Sequence, residues 1–348
     1  MPGSRLTFAQ KSGALALPED GAIALTGALL RYPLDGLATD RVRPVTRFRP
    51  AFERLEKAGF RVGCRFDGTP SAAIVAISRS RAHTLGLISE AFKMTEPGGL
   101  VVVDGAKTDG IESILKAARA HLGVTGVSAK FHGKLFWARR PNTLPDALAD
   151  WSAAAQAKRN EAGYFTAPGM FSHAGIDAGS ALLADAFDQR LSGEVADLGA
   201  GWGWLADQAL RRGDVARIDL FEADGAALAA ARRNVVDPRA AFHWADVATL
   251  AQTPRYDAII SNPPFHVGHA AQPEIGLAFI RKAAALLRPK GRLWLVANRQ
   301  LPYEATLDAC FTQWSVVSQT SHFKVIRAER PNAGLARTRV RNPVRSRR

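Results

Sequence analysis

Two periodicities alternate along the chain. Short aliphatic runs bounded by turn residues are followed by longer stretches in which apolar positions recur three and four residues apart. These are the patterns of buried strands and of helices with one apolar face. In the first half, residues 22–26, 72–77 and 100–103 read as strands. Residues 51–58, 82–94 and 111–121 read as helices, the first of them ended by Gly59. In the second half, strands are expected at 195–198, 217–222, 241–245, 256–261 and 293–297, with a closing antiparallel pair at 316–317 and 323–326. Helices are expected from Asp177, a suitable N-cap, to about 189, from about Trp204, and over 228–234, 275–287 and 303–311. Strand and helix in alternation predict an α/β protein with mostly parallel sheets covered by helices on both faces.

The two halves echo each other. Ala73-Ile74-Val75-Ala76-Ile77-Ser78-Arg79-Ser80 parallels Ala258-Ile259-Ile260-Ser261-Asn262-Pro263, and Pro97-Gly98-Gly99-Leu100 parallels Pro289-Lys290-Gly291-Arg292. The pattern predicts duplication of one domain. The expected organisation is a first copy over 1–140, a linker over 141–164 that holds a connecting helix within Leu144–Lys158, a second copy over 165–330 and a basic tail over 331–348. From Arg327 to the end there are eight arginines against one acid, and no apolar periodicity. That predicts a disordered tail that meets RNA backbone without sequence preference.

The chemistry is concentrated in the second copy. Asn262-Pro263-Pro264-Phe265 ends a strand, because two prolines cannot continue a hydrogen-bonded ladder. Ligands bind at such strand ends in open α/β sheets. The Asn262 side-chain oxygen and the Pro263 carbonyl suit an exocyclic amine, and Phe265 offers a face for a planar base. Upstream, Asp197-Leu198-Gly199-Ala200-Gly201-Trp202-Gly203 reads as a strand and a glycine turn that admits close approach of a ligand. Glu222, 19 residues after Gly203, ends the next strand and suits ribose hydroxyls, with Asp224 as competitor for that role. Asp246 ends a third strand and suits an adenine amine. A helix cap is the alternative for each acid.

The first copy has Arg79-Ser80-Arg81-Ala82 where the second has Asn-Pro-Pro-Phe, and Thr26-Gly27-Ala28-Leu29 where the second has the glycine turn. It reads as degenerate, with a binding or stabilising role. Arg79 and Arg81, with Arg41, Arg43, Arg47 and Arg49, are candidates for phosphate contacts or for a solvated face. Around the second boundary, Gly163-Tyr164-Phe165-Thr166-Ala167-Pro168-Gly169-Met170-Phe171-Ser172 suits a loop lying over a ligand as well as simple packing.

Charge points the same way. The net charge of +14 on 348 residues favours a polyanionic partner, most often nucleic acid. Cys64 and Cys310 are far apart, and His266, His269 and His322 match no ligand spacing, so no metal and no disulfide framework are expected. No signal-like or membrane-spanning run is present, so a cytoplasmic protein is the expectation.

Taken together, these residues resemble the RsmC-type ribosomal RNA guanine-N2 methyltransferases. The likeness is strongest in the stretch from Phe165 to Ser172, in Asp197-Leu198-Gly199-Ala200-Gly201, in Ser261-Asn262-Pro263-Pro264-Phe265-His266 and in Val296-Ala297-Asn298-Arg299-Gln300-Leu301-Pro302-Tyr303. The resemblance implies two tandem Rossmann-like methyltransferase domains with the first degenerate. It implies S-adenosylmethionine as cofactor, held by Asp197, Gly199, Gly201, Gly203, Glu222, Asp246 and Asn262. Asn262, Pro263 and Phe265 are then catalytic, and Phe165, Phe171, Phe265, Arg79 and Arg81 meet the RNA. The implied substrate is a guanine N2 of 16S rRNA in the small ribosomal subunit, and the protein is expected to be a monomer. A 23S rRNA guanine, a protein glutamine, or a non-catalytic role in RNA binding and ribosome assembly remain as alternatives.

Overall fold

The computed structural model describes residues 4–332 apart from 213, 254, 265, 268, 269 and 272, with backbone alone at 266, 267, 270 and 271. The chain divides into two compact units. The first takes the residues up to His173 together with Asp224–Ala226, and the second takes Ala174–Ala223 and the residues from Ala227 onward.

The first unit contains α1 (Arg5–Lys11), β1 (Ile23–Gly27), β2 (Val42–Val45), α2 (Arg49–Lys57), β3 (Ala72–Ala76), α3 (Arg81–Met94), β4 (Leu100–Ala106), α4 (Ile111–His121), β5 (Gly126–Lys130), β6 (Gly133–Arg139) and α5 (Ala147–Ala155). A two-residue pair follows, β7 (Lys158–Arg159) with β8 (Phe165–Thr166). The six-stranded sheet has the order β2-β1-β3-β4-β6-β5. Its first four strands are parallel, and β6 and β5 close it antiparallel. Both faces of β3 are buried: Ala72, Ile74 and Ala76 join one apolar cluster, Ala73 and Val75 the other. That is why its sequence is a continuous aliphatic run rather than an alternating one.

Two elements here carry no clear sequence signal. Strand β2 contains Pro44, tolerated because β2 lies at the sheet edge. The β5–β6 turn holds Phe131 and His132 at φ of +50° and +52°, a conformation that Asn-Gly usually announces. The stretch 141–164, expected as a linker, carries α5. That helix sets Leu148 in the core, and the Leu148 carbonyl accepts a hydrogen bond from Ser89 Oγ of α3 at 2.6 Å.

The second unit contains α6 (Ala178–Asp185), β9 (Gly193–Leu198), α7 (Trp204–Leu210), β10 (Val215–Glu222), α8 (Gly225–Asn234), β11 (Ala240–Trp244), β12 (Tyr256–Ser261), the short pair β13 (His266–Val267) and β14 (Ala270–Ala271), α9 (Pro273–Leu286), β15 (Leu287–Asn298), α10 (Glu304–Cys310), β16 (Phe311–Gln319) and β17 (Phe323–Pro331). The seven-stranded sheet runs β11-β10-β9-β12-β15-β17-β16. All neighbours are parallel except β15/β17 and β17/β16. Side chains alternate between two cores, as the two-residue period of a strand demands. Ala258, Ile260, Trp294 and Val296 face α6 and α7, whereas Ile259, Leu293 and Leu295 face α9 and α10.

The two sheets share one topology. Strands β1, β2, β3, β4, β5 and β6 correspond to β9, β10, β12, β15, β16 and β17, and β11 is matched in the first unit by an isolated parallel bridge of Gly63 to Val45 on the outer edge of β2. The duplicated Rossmann-like architecture expected from the sequence is therefore present. No helix of the described residues is long and apolar enough to cross a membrane.

Candidate functional site

In the second unit the C-terminal ends of β9, β10 and β12 are stitched together. Ser261 Oγ donates to the Leu198 carbonyl at 2.7 Å. The backbone N–H groups of Gly199 and Ala200 both donate to the Phe221 carbonyl, at 2.9 and 3.0 Å. Between them runs the glycine turn, with Gly199, Gly201 and Gly203 at φ of +77°, +55° and +89°. Only glycine adopts these angles without strain. Each glycine has its own surroundings. A Cβ on Gly203 would crowd Val235 and Ala231 of the α8 region, whereas a Cβ on Gly201 would meet nothing within 4 Å. Gly201 thus borders open space.

The corresponding turn of the first unit is closed. A Cβ on Gly27 would run into the Ala76 carbonyl of β3. Its strand-end polar groups are used locally. Ser78 Oγ lies 3.1 Å from His83 Nδ1, and the Ser78 N–H donates to Thr84 Oγ1 at 3.0 Å.

Two carboxylates flank the open turn. Glu222 Oε2 accepts from the Gly201 N–H at 2.7 Å. Asp197 is fully buried and neither of its oxygens has a hydrogen-bond partner. Burial, followed by the Glu222 charge, pushes its carboxyl from 3.8 up to about 8. The nearby Ala206 N–H opposes this but forms no hydrogen bond of normal geometry. A buried acid that is short of donors and lies near a second acid suits a cationic ligand. The residues at this turn therefore fit a cofactor that bears positive charge. The sign of the linkage follows. Below pH 3.8 the acid is protonated in both states, and as pH rises toward 8 the folded chain holds a proton that the unfolded chain has lost. Stability accordingly declines through that window. A cationic ligand favours the ionised form, so its binding should tighten as pH rises toward 8 and should release protons. Calorimetry in buffers of different ionisation enthalpy measures that release, and Asp197→Asn should abolish it.

Asp246 follows β11 and caps a short turn, its Oδ1 accepting from the Ala248 N–H at 2.9 Å. Asp224 accepts from the Ala226 N–H at 2.8 Å. The capping alternative is thus realised at both positions.

Asn262 stands at the end of β12. Its Nδ2 donates to Asp177 Oδ2 at 3.0 Å and to Ser180 Oγ at 2.8 Å. Its Oδ1 is buried and has no partner among the described residues. Pro263 beside it is buried, and Phe265 lies outside the described residues. Asp177 was legible as a helix cap and does cap α6. Its contact with Asn262, across 85 residues, has no local sequence signal.

The remaining expected residues lie in the first unit. Phe165 is in β8 with the Arg159 guanidinium 4.5 Å above its ring, and Phe171 is 59% exposed. Arg79 is exposed, 3.9 Å from Asp109, and Arg81 opens α3 on the surface. Arg41 is occupied otherwise: its guanidinium donates to the carbonyls of Pro18, Asp20 and Gly21. Arg43 donates to the Thr39 and Val42 carbonyls, and Arg47 to that of Cys64. Arg49 pairs with Glu53 at 2.8 Å. For Arg41 above all, the phosphate-contact expectation gives way to loop anchoring.

Comparison with known proteins bears on the same region. A family model described as methyltransferase small domain matches residues 161–327. A ribosomal RNA small subunit methyltransferase C from Alcanivorax borkumensis is 34% identical over 243 residues, covering 68% of this chain and 73% of the relative. The chain belongs to this family. A second member, from Shewanella oneidensis, is 30% identical over 261 residues, 73% and 76% of the two chains. The match to the Sodalis glossinidius member is 40% identical but spans 47% of each chain, about half of that relative's length. Among solved structures, a 16S rRNA N2 methyltransferase (RsmC) of T. thermophilus, in complex with AdoMet and guanosine, superposes with a TM-score of 0.76 at 27% identity and covers 90% of both chains. Family membership thus extends across both units.

Proposed function

We propose that the second unit methylates the exocyclic N2 of a guanine in 16S rRNA, with S-adenosylmethionine as the methyl donor. The observation that carries this reading is Asn262 Oδ1, a buried acceptor with no partner at the end of β12. A buried carbonyl oxygen left without a donor costs about 1–3 kcal/mol. An incoming amine relieves that cost. Support comes from family membership and from the RsmC structure, whose ligands are AdoMet and guanosine.

Asp197, Glu222 and the open side of the turn at Gly201 would hold the cofactor, with Gly199, Gly203 and Asp246 bordering it. When bound, the cofactor supplies a sulfonium methyl for in-line displacement. Guanine N2 is a weak nucleophile because its lone pair is delocalised into the ring. Asn262 Oδ1 accepts one N2 hydrogen, with the Pro263 carbonyl as the second acceptor. Held there, N2 would pyramidalise, which takes the lone pair out of conjugation with the ring and aims it at the methyl. As the C–N bond forms, N2 becomes strongly acidic and gives its extra proton to water, so no dedicated base is needed. Positioning of this kind supplies roughly 7–11 kcal/mol of barrier reduction. The guanine must leave its stack to reach a strand end, which favours an unpaired or flipped nucleotide. The first unit, with its closed turn and its arginines, serves as an RNA-binding or stabilising body, and Phe165 and Phe171 are candidate stacking surfaces.

The test is transfer of labelled methyl to unmodified small subunits, large subunits and free rRNAs, followed by nucleoside analysis. N2-methylguanosine in 16S rRNA is expected. Label confined to 23S rRNA or to protein glutamine, or no label at all, overturns the assignment.

A further inference from the structure

We infer that Asp177, together with Ser180, is a positioning residue that fixes which end of the Asn262 carboxamide meets the substrate. The inference rests on the reading of Asn262 given above.

A carboxamide is nearly symmetric in shape but opposite in chemistry at its two ends. If Nδ2 faced the substrate, Asn262 would present donors and repel an amine. An ionised carboxylate only accepts, so the partner of Asp177 Oδ2 at 3.0 Å must be the NH2 end. Ser180 Oγ takes the second Nδ2 hydrogen at 2.8 Å. With both hydrogens committed, Oδ1 is the free end.

The lock is itself held. Asp177 Oδ2 also accepts from the Ser180 backbone N–H at 2.8 Å, as the N-cap of α6. Rotating the carboxylate away from Asn262 would therefore uncap the helix. On the far side space is short: a Cβ on Gly179 would lie 3.0 Å from that same oxygen and 3.1 Å from the Phe323 ring. One oxygen thus joins the start of α6 to the end of β12.

Two effects on the reaction follow. The charge-assisted hydrogen bond from Nδ2 draws electron density toward Oδ1 and makes it a stronger acceptor. The fixed polarity also sets specificity. A nucleophile that brings hydrogens to this point is accepted, whereas one that brings only lone pairs faces a lone pair and is rejected.

The experiment uses the full chain and follows kcat, KM for RNA, cofactor affinity and Tm. Asp177→Asn keeps a good N-cap but removes the charge and the acceptor-only character. The expected result is a fall in kcat of about 10- to 100-fold, with KM, cofactor affinity and Tm nearly unchanged. Ser180→Ala, which keeps the backbone cap, should lower kcat by a smaller factor and so tests the lock if the first variant is unstable. Asn262→Asp sets two carboxylates face to face and should be inactive at neutral pH. Asp177→Asn combined with Asn262→Asp restores a donor–acceptor pair of reversed polarity and should recover at least about tenfold over the Asn262→Asp single variant. A role confined to capping predicts no such recovery. If Asn262→Ala is inactive while Asp177→Asn turns over like wild type and the double variant recovers nothing, the lock is overturned and the reading of Asn262 stands. If Asn262→Ala is itself fully active, that reading falls instead.

Discussion

Asn262→Ala should lower kcat by about 100- to 1,000-fold, the range seen when one preorganised hydrogen-bonding group is removed from a reacting centre. Cofactor affinity should change little. Among the described residues Asn262 Oδ1 has no partner, and Nδ2 bonds to Asp177 and Ser180. Alanine therefore removes the acceptor for the substrate amine and leaves the turn at Gly201 and the pair Asp197 and Glu222 in place. Binding calorimetry with S-adenosylmethionine, set beside single-turnover methylation of small subunits, separates the two effects. Undiminished turnover would remove Asn262 from the mechanism. Lost binding would move its role to the cofactor.

The second large effect is on stability. Gly276→Ala, in the first turns of α9, should destabilise the chain by about 3 kcal/mol, the upper end of the cost of overpacking a core. The new methyl would run into the Tyr303 hydroxyl and ring. Tyr303 is 0% exposed and sits among Ile280, Leu307 and Ile326, so it has nowhere to swing. Its hydroxyl has no hydrogen-bond partner, and burial raises its pKa to about 12, so it stays protonated at working pH. Tyr303→Phe removes a buried hydroxyl that bonds to nothing, and should leave stability unchanged or raise it. Chemical denaturation of both variants checks the pair. A loss of more than about 1 kcal/mol in Tyr303→Phe would mean that the hydroxyl has a partner.

The parts of this protein that announce themselves in sequence are those whose cause is local. Strands β3, β4, β12 and β15 are aliphatic because they are buried on both faces, and aliphatic runs between turns are visible without a structure. The glycine turn and the acid at Glu222 are visible because spacing along one strand–turn–helix unit fixes them. Asn262 is visible because two prolines must stop the strand after it. What stays hidden depends on non-local context. Strand β2 survives Pro44 because it lies at the sheet edge, where its outer side carries an isolated bridge to Gly63 that uses the Pro44 carbonyl and needs no N–H from Pro44. The turn at Phe131 and His132 takes left-handed angles that its residues do not advertise. Arg41 reads as a phosphate ligand or as part of a solvated face, and in the fold three carbonyls, 20 to 23 residues away in sequence, surround its guanidinium. Asp177 reads as a cap and is one. Its second contact depends on where β12 ends, which no window around Asp177 contains.

The strand reduced to one bridge in the first sheet bears on how the two copies differ. A duplicated domain that has lost only side chains can regain them one substitution at a time. Here the position of β11, the strand that leads into Asp246, is also reduced in the first copy to the single bridge of Gly63 to Val45, and the end of β3 fills the space beside Gly27. Writing Asn-Pro-Pro-Phe into the first half would still leave the space beside Gly27 filled by the Ala76 carbonyl.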